Sequence, residues 1–423
     1  MTQWGLRSIV ICLVVVGLVA AFLFSEDHEV STPMGEMIGL DEDRAMAGAI
    51  GSALEIINST RDATIRKQSS ETPGSQPIYG RDVHNKSHGC LKANFIVRDL
   101  EKQYRWGVLS KPRTYPAWIR FSSADSSYLP DATWDARGMA IKLMGVEGDK
   151  LLSSQKKELT QDFIMMNNPN YFIRKLDDYV ELTRYLARGD KLGYFANGFS
   201  PNLFSWHWRE LRLVAGTKKR APDTLLNTRF WSASAYKLGP DHNSKFSVKP
   251  VVCGANTRML NSWVTPRSDD NFLRKRMTEQ LAKAPACFDF MVQLQQPGKN
   301  MPVEDATIVW REQDAPFTAV ARIEIPVQSF DDPAQNQFCE GLSFNPWHSL
   351  PEHRPLGVFN RVRKALYQEV ARYRRAENLK VKQGTSTAPV LREANLAEPL
   401  SWCTDGQPAD ACGPVLKKAG RQD

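Results

Sequence analysis

A series of short segments rich in β-branched and aromatic residues runs through the middle of the chain: ANFIV, AWIRFSS, RGMAIKLMGV, DFIMM, FWSASAYKL, KFSVKPVV, CFDFMVQLQ and FTAVARIEIP. Turn residues separate them, and helical patterns near 175–188, 204–214 and 270–284 interrupt the series without a regular strand–helix–strand alternation. Strands that do not alternate with crossover helices pair antiparallel, so the pattern predicts a barrel or sandwich with helices added outside, an α+β class. No internal repeat divides the 423 residues.

The ends of the chain have a different character. The first 30 residues carry Arg7, an apolar run from Ile9 to Phe24, and then Glu26, Asp27 and Glu29. The run is slightly short for a membrane span of about 20 residues and slightly long for a signal-peptide core of about 7–15. We read it as an uncleaved membrane anchor in preference to a signal sequence. Arg7 before it and acids after it place the body outside the cytoplasmic membrane. Residues 31–77 read as a helical arm and linker, 78–377 as the main domain, and 378–423 as a polar tail. A disulfide between Cys403 and Cys412, which bracket a loop of turn residues, suits an oxidising compartment. No CxxC pair is present for zinc or thiol redox chemistry. Asn58 and Asn85 stand in Asn-x-Ser/Thr triplets. The net charge of +8 comes from scattered Lys and Arg rather than blocks, which argues against nucleic acid as a partner.

Near the end, RKALYQEVARYR covers residues 363–374. On a helix Arg363 sits one turn before Tyr367 and Arg374 two turns after it, beside an apolar stripe of Val362, Leu366 and Val370. By itself this is an amphipathic surface helix. A guanidinium beside a phenol also favours the phenolate, an anionic oxygen ligand. Of the seven histidines, His84 and His88 cluster at the entry to the first strand, with Arg81 and Lys86. Arg120 and Ser122 follow in RFSS, and Arg137 opens RGMAIK.

In order and spacing these pieces resemble the haem catalases. That family's Arg-x-x-His-Ala-Lys-Gly is similar to Arg81-Asp-Val-His84-Asn-Lys86-Ser, its Arg-Phe-Ser to Arg120-Phe121-Ser122, and its Arg-Gly-Phe-Ala-Val-Lys to RGMAIK. Its Asp-Leu-Thr-Lys-Val-Trp is similar to DATIVW (residues 305–310), and its Ala-Phe-Asp-Pro to Ser343-Phe344-Asn345-Pro346. Its Arg-x-x-x-Tyr, followed by arginines, is similar to Arg363, Tyr367, Arg372 and Arg374.

The resemblance implies a catalase-like antiparallel β-barrel with surrounding helices, holding haem b. It implies Tyr367 as the iron ligand, kept anionic by Arg363, because tyrosine ligation is the catalase arrangement among haem proteins. Arg81, Arg120 and Arg374 would hold the propionates, and Phe172 would stack on the haem. His84 would move the peroxide proton with Ser122 orienting its ring, and His88 is the competing distal histidine. The family's distal asparagine has no counterpart in ELTQDFIMMNN, where Thr160 or Gln161 falls near its position. His348 and His353 are alternative haem or metal ligands. The implied activity is peroxidase-type reduction of hydrogen peroxide or organic hydroperoxides with an unidentified electron donor. Rearrangement of lipid hydroperoxides, as in catalase-related allene oxide synthases, and non-enzymatic haem binding are the alternatives. Family members assemble through threaded arms, so a homo-oligomer stays open here.

Overall fold

The computed structural model describes residues 30–39, 42–71, 79–254 and 262–383. The apolar run 9–24 and the Cys403–Cys412 loop lie outside these residues. Among the described residues no helix is long and apolar enough to cross a membrane.

After a small hairpin, β1 (Val30–Ser31) with β2 (Met37–Ile38), and a long helix, α1 (Glu42–Glu71), the chain enters the strand series. The strands are β3 (Ser87–Val97), β4 (Arg113–Ser123), β5 (Arg137–Met144), β6 (Thr160–Met166), β7 (Phe230–Trp231), β8 (Tyr236–Leu238), β9 (His242–Val251), β10 (Ala286–Leu294) and β11 (Thr318–Ile325). Their order is β10-β11-β3-β4-β5-β6-β7-β9-β8, and β10 also pairs with β9. That pairing closes eight antiparallel strands into a barrel and leaves β8 as a flap on β9. The alternation of residues between the two sides of a strand fills the barrel with one set of side chains. Phe95, Phe163, Phe246 and Phe290 meet there, with ring centroids 5.0–6.2 Å apart. Burying each such ring contributes about 1.5–3 kcal/mol.

On the outer side of the barrel, α5 (Pro333–Gly341) packs Phe338 and Cys339 against Cys90, Trp118 and Met144 of β3–β5, and the last helix, α6 (Val358–Gln383), faces β4–β6. The remaining helices are α2 (Leu176–Ala187), which bundles with α1 and α6, and α3 (Trp208–Thr217) and α4 (Phe272–Leu281). The stripe Val362, Leu366 and Val370 is buried with Ala49, Ala53 and Ile57 of α1 and Leu176 and Val180 of α2. The helix carrying Tyr367 is therefore buried on more than its apolar stripe, with Arg363 and Arg374 each only 6% exposed. Its apolar side is shared with two other helices, and its arginine side turns to the barrel wall.

Two disulfides not anticipated from sequence tie this arrangement together, Cys90–Cys339 and Cys253–Cys287. The first joins β3 to the end of α5 across 249 residues of chain. Asn85 is fully buried and donates to Thr64 Oγ1 and the Ser126 carbonyl, so its side chain is structural and does not serve as a glycan acceptor.

Candidate cofactor and active site

A cavity with about 640 Å³ of empty space, part of it open to solvent, lies between the outer wall of β4–β6 and α6. It brings together Arg81, His84, Arg120, Ser122, Tyr367 and Arg374 from three separate stretches of sequence. Ala140, Ile164, Phe344 and Val370 give it an apolar lining.

His84 enters on the turn before β3 with φ +58°, a left-handed conformation that costs a non-glycine residue about 1–2 kcal/mol. Its backbone is held there by a bond from His84 N to the Ala124 carbonyl (3.1 Å) and by Arg120 Nη2 donating to the His84 carbonyl (3.1 Å). Nδ1 lies 3.0 Å from Ser122 Oγ. Ser122 faces Gly138 across the β4–β5 ladder. A Cβ on Gly138 would stand 2.7 Å from the His84 ring and 2.9 Å from Ser122 Oγ, so the missing side chain is the space the imidazole occupies. Burial, with Arg120, Arg363 and Arg81 nearby, pushes the imidazole down to about 3, which keeps it neutral at ordinary pH.

On the opposite wall Arg363 Nε donates to Tyr367 Oη (3.1 Å), as the one-turn spacing requires. Arg363 also lies over the Tyr367 ring at 5.0 Å and is anchored by Asn360 Oδ1. Burial works against its charge, but the phenols of Tyr367 and Tyr236 outweigh that and hold the guanidinium above its ordinary value.

At the rim, Arg81 and Arg120 both reach the Glu340 carboxylate (2.6 and 3.2 Å), and Arg374 Nη2 donates to the Glu340 carbonyl (2.9 Å). Burial opposes ionisation of Glu340, yet Arg120, Arg81 and Arg374 prevail and hold it at about 2. One carboxylate among three guanidiniums leaves a positive rim, and buried Arg120 Nε has no partner. Asp82 borders the same cavity, and burial lifts its carboxyl to about 6. Glu340 was not found by sequence reasoning. Nothing around it marks it except Cys339, whose bridge to Cys90 fixes the end of α5 beside the arginines.

Several expected residues lie elsewhere. Thr160 does not line the cavity. Its Oγ1 is bonded to His348 Nε2, while the Lys142–Asp162 ion pair (2.7 Å) and the bond from Asn345 N to Asp162 Oδ2 (2.9 Å) latch residues 345–350 onto β6. The β6 side chain that faces the cavity is Ile164, so the wall is apolar and, as the sequence reading expected, carries no counterpart of the family's distal asparagine. Phe172 packs with Ile173, Leu182 and Tyr194 in the helical layer, away from the cavity; its neighbour Tyr171 stacks on Phe359 of α6. His348 and His353 are structural. Burial pushes them down to about 2 and about 4, and His353 Nε2 accepts from Val108 N (3.1 Å). His88 points into a sealed network, with Nε2 2.9 Å from Ser123 Oγ.

Among the described residues no cluster of His, Cys, Asp and Glu could hold a metal ion by itself. The donor set fits a flat, dianionic iron cofactor instead: a phenol oxygen on one wall, guanidiniums at the rim, and apolar planes between. Comparison with known proteins agrees with that architecture. A catalase-related peroxidase of Synechococcus elongatus is 22% identical over 262 residues, covering 61% of this chain and 72% of its own. A fungal catalase and catalase A of Saccharomyces cerevisiae share the fold, each with a TM-score of 0.53. They are 16% and 17% identical over 70% of this chain, which spans 60% and 61% of theirs. The family model for catalase matches residues 62–383, the same stretch that builds the barrel, the cavity and α6. The chain therefore belongs to the catalase family.

Proposed function

We propose that this protein is a haem-dependent peroxidase acting outside the cytoplasmic membrane on hydrogen peroxide or small organic hydroperoxides. The observation that supports it most is the pairing of two walls across one cavity: His84 with Ser122 on the barrel side, and Tyr367 with Arg363 on the helix side. Tyr367 would supply the iron ligand, and Arg81, Arg120 and Arg374 the propionate contacts. Bound haem would supply the redox centre at which the peroxide is reduced.

The protein's own part is proton management and exclusion. With Nδ1–H donating to Ser122 Oγ, His84 keeps Nε2 free to take the proton of an incoming hydroperoxide and return it to the departing oxygen. Gly138 lets the imidazole sit in that position, and the turn at His84 fixes its aim. Ile164, with Ala140 and Phe344, makes this wall apolar, a surface that favours an alkyl hydroperoxide over a small polar one. This supports reduction of organic hydroperoxides over disproportionation of hydrogen peroxide, with an external electron donor. The same wall keeps lipid-hydroperoxide rearrangement as the second reading. The two disulfides support an oxidising compartment.

Haemin titration of the full chain, followed by absorption, is the test. We expect wild type to give a Soret band with high-spin, phenolate-type features and Tyr367→Phe to lose haem or shift that spectrum. An unchanged spectrum in Tyr367→Phe would remove the ligand assignment. Organic hydroperoxides and hydrogen peroxide are then compared on the loaded protein.

A further inference from the structure

Between Lys191 and Arg209 the chain contains no Asp, Glu, Lys or Arg, yet it carries Leu192, Phe199, Leu203, Phe204, Trp206 and Trp208. Five of these are exposed, with Phe204 98% and Phe199 64% accessible. Monomeric proteins rarely leave large apolar side chains clustered in water without a use for them. This tip joins α2 to α3, far in sequence from the strands that make the barrel.

Its construction has two features. Phe199 adopts φ +60° beside Gly198 at +64° and Asn197 at +46°, an unfavourable conformation for an aromatic residue whose ring ends in solvent. Polar groups of the tip are meanwhile satisfied internally. Trp206 Nε1 donates to the Ser200 carbonyl and Trp208 Nε1 to the Leu203 carbonyl (both 2.8 Å). Phe204 N donates to Asn202 Oδ1 (3.1 Å), and His207 N to the Phe195 carbonyl (2.9 Å). What the tip presents outward is ring faces and aliphatic groups, with part of its backbone hydrogen bonding already made. A segment entering an apolar phase has to meet the same condition.

Cations flank it. Residues 188–220 hold seven Lys and Arg against Asp190 and Glu210, and Arg188, Arg212, Lys218 and Arg220 are exposed. Asp135 pairs with Lys219 across a β-bridge, which brings exposed Trp134 to the basic end. An apolar, aromatic tip with Lys and Arg on both sides of it along the chain matches the interface of a bilayer carrying anionic headgroups. The chain's own course points the same way. The apolar run 9–24 precedes α1, and Gly48 of α1 packs beside Val180 and Arg184 near the end of α2 from which the tip departs.

We propose that residues 192–208 form a lipid-docking tip that inserts Phe199, Leu203, Phe204 and Trp208 into an anionic membrane surface, held there by the flanking Lys and Arg. The consequence is that apolar hydroperoxides dissolved in a bilayer are the peroxides this protein meets at highest concentration. The proposal stands apart from the haem assignment, and its test does not require haem.

The test uses the full chain with Phe204→Cys carrying an environment-sensitive dye, the equally treated wild type giving the background from other cysteines. Phosphatidylglycerol-containing vesicles should shift the dye emission to the blue, phosphatidylcholine vesicles much less, and 0.5 M salt should weaken the effect, on the order of one Debye length being only a few ångströms there. Adding Phe199→Ser and Leu203→Ser should lower the vesicle concentration dependence by roughly tenfold or more. Three results would overturn the proposal. They are no response to either vesicle, a blue shift in lipid-free protein that grows with protein concentration, and a lipid-free shift independent of concentration. The second would assign the face to another copy of the chain, and the third to a segment of the same chain.

Discussion

Two serine–histidine pairs sit side by side at the start of the barrel and differ in almost everything that matters. Ser122 and Ser123 are consecutive in β4, and His84 and His88 are four residues apart. His84 and Ser122 face the cavity. His88 and Ser123 lie in a closed network in which Arg137 Nη1 donates to Ser123 Oγ (2.6 Å) and Asp131 Oδ1 meets Lys86 Nζ (2.8 Å) and stands 3.6 Å from His88 Nδ1. The sealed set even has the order of a hydrolytic triad, Ser123–His88–Asp131. Its hydroxyl is taken by Arg137, and His88 and Asp131 are wholly buried, so no substrate reaches it. The difference is one strand residue: neighbours in a strand point to opposite sides, and only one side opens on a cavity. Residue type and spacing do not distinguish a pair that faces a cavity from one sealed in the core.

The comparison can be broken most directly through His84. We expect His84→Ala to retain haem and to lower hydroperoxide reactivity by about 100- to 10,000-fold, the usual worth of a positioned proton carrier. His88→Gln should leave that reactivity unchanged per folded molecule, and stopped-flow mixing of both variants with an alkyl hydroperoxide would show it. The sealed network should answer to stability instead. Asp131→Ala strands the Lys86 ammonium and should cost about 3–5 kcal/mol of unfolding free energy by denaturant titration.

Gly138→Ala sharpens the boundary between the two. The added methyl enters the space of the His84 ring, so about 1–3 kcal/mol of overpacking should fall on the open pair and show as slower peroxide reaction at little change in haem uptake. The smallest effect is in the pH dependence. Both imidazoles are held below the ordinary 6.5, first by burial and then by nearby cations. The unfolded chain therefore binds these protons first, so this stability is complete above about pH 6.5 and declines as pH falls toward the folded values. Each histidine contributes at most about 1.4 kcal/mol per pH unit in that window. Either His88→Gln or His84→Ala should flatten the slope of stability between pH 6.5 and 5 by up to that amount, whereas only His84→Ala changes the chemistry.

Much of the fold was legible because strands and helices are written locally. All of the strand segments from ANFIV to FTAVARIEIP became strands, with FWSASAYKL dividing into β7 and β8, and the Arg363–Tyr367 pair followed from helical spacing alone. The failures were all questions of which element covers which. Thr160 falls near the place of the family's distal asparagine, but residues 345–350 close over that end of β6 and leave Ile164 at the cavity. Phe172 was named from a loop alignment, but the helical layer drew it into a different cluster. Cys90 and Cys339 gave no local sign of pairing, since 249 residues separate them.

By itself the sequence determined an antiparallel barrel-or-sandwich class, the arginine-flanked tyrosine and the pair of candidate histidines, because periodicity and short-range spacing act through bonds and turns within one element. Only the tertiary structure put His84 at the cavity and His88 in a sealed network, placed Glu340 among the arginines and turned Ile164 to the wall that lacks the family's amide. Those outcomes depend on which face of a strand is covered and by what, and that is fixed by packing between elements far apart in the chain.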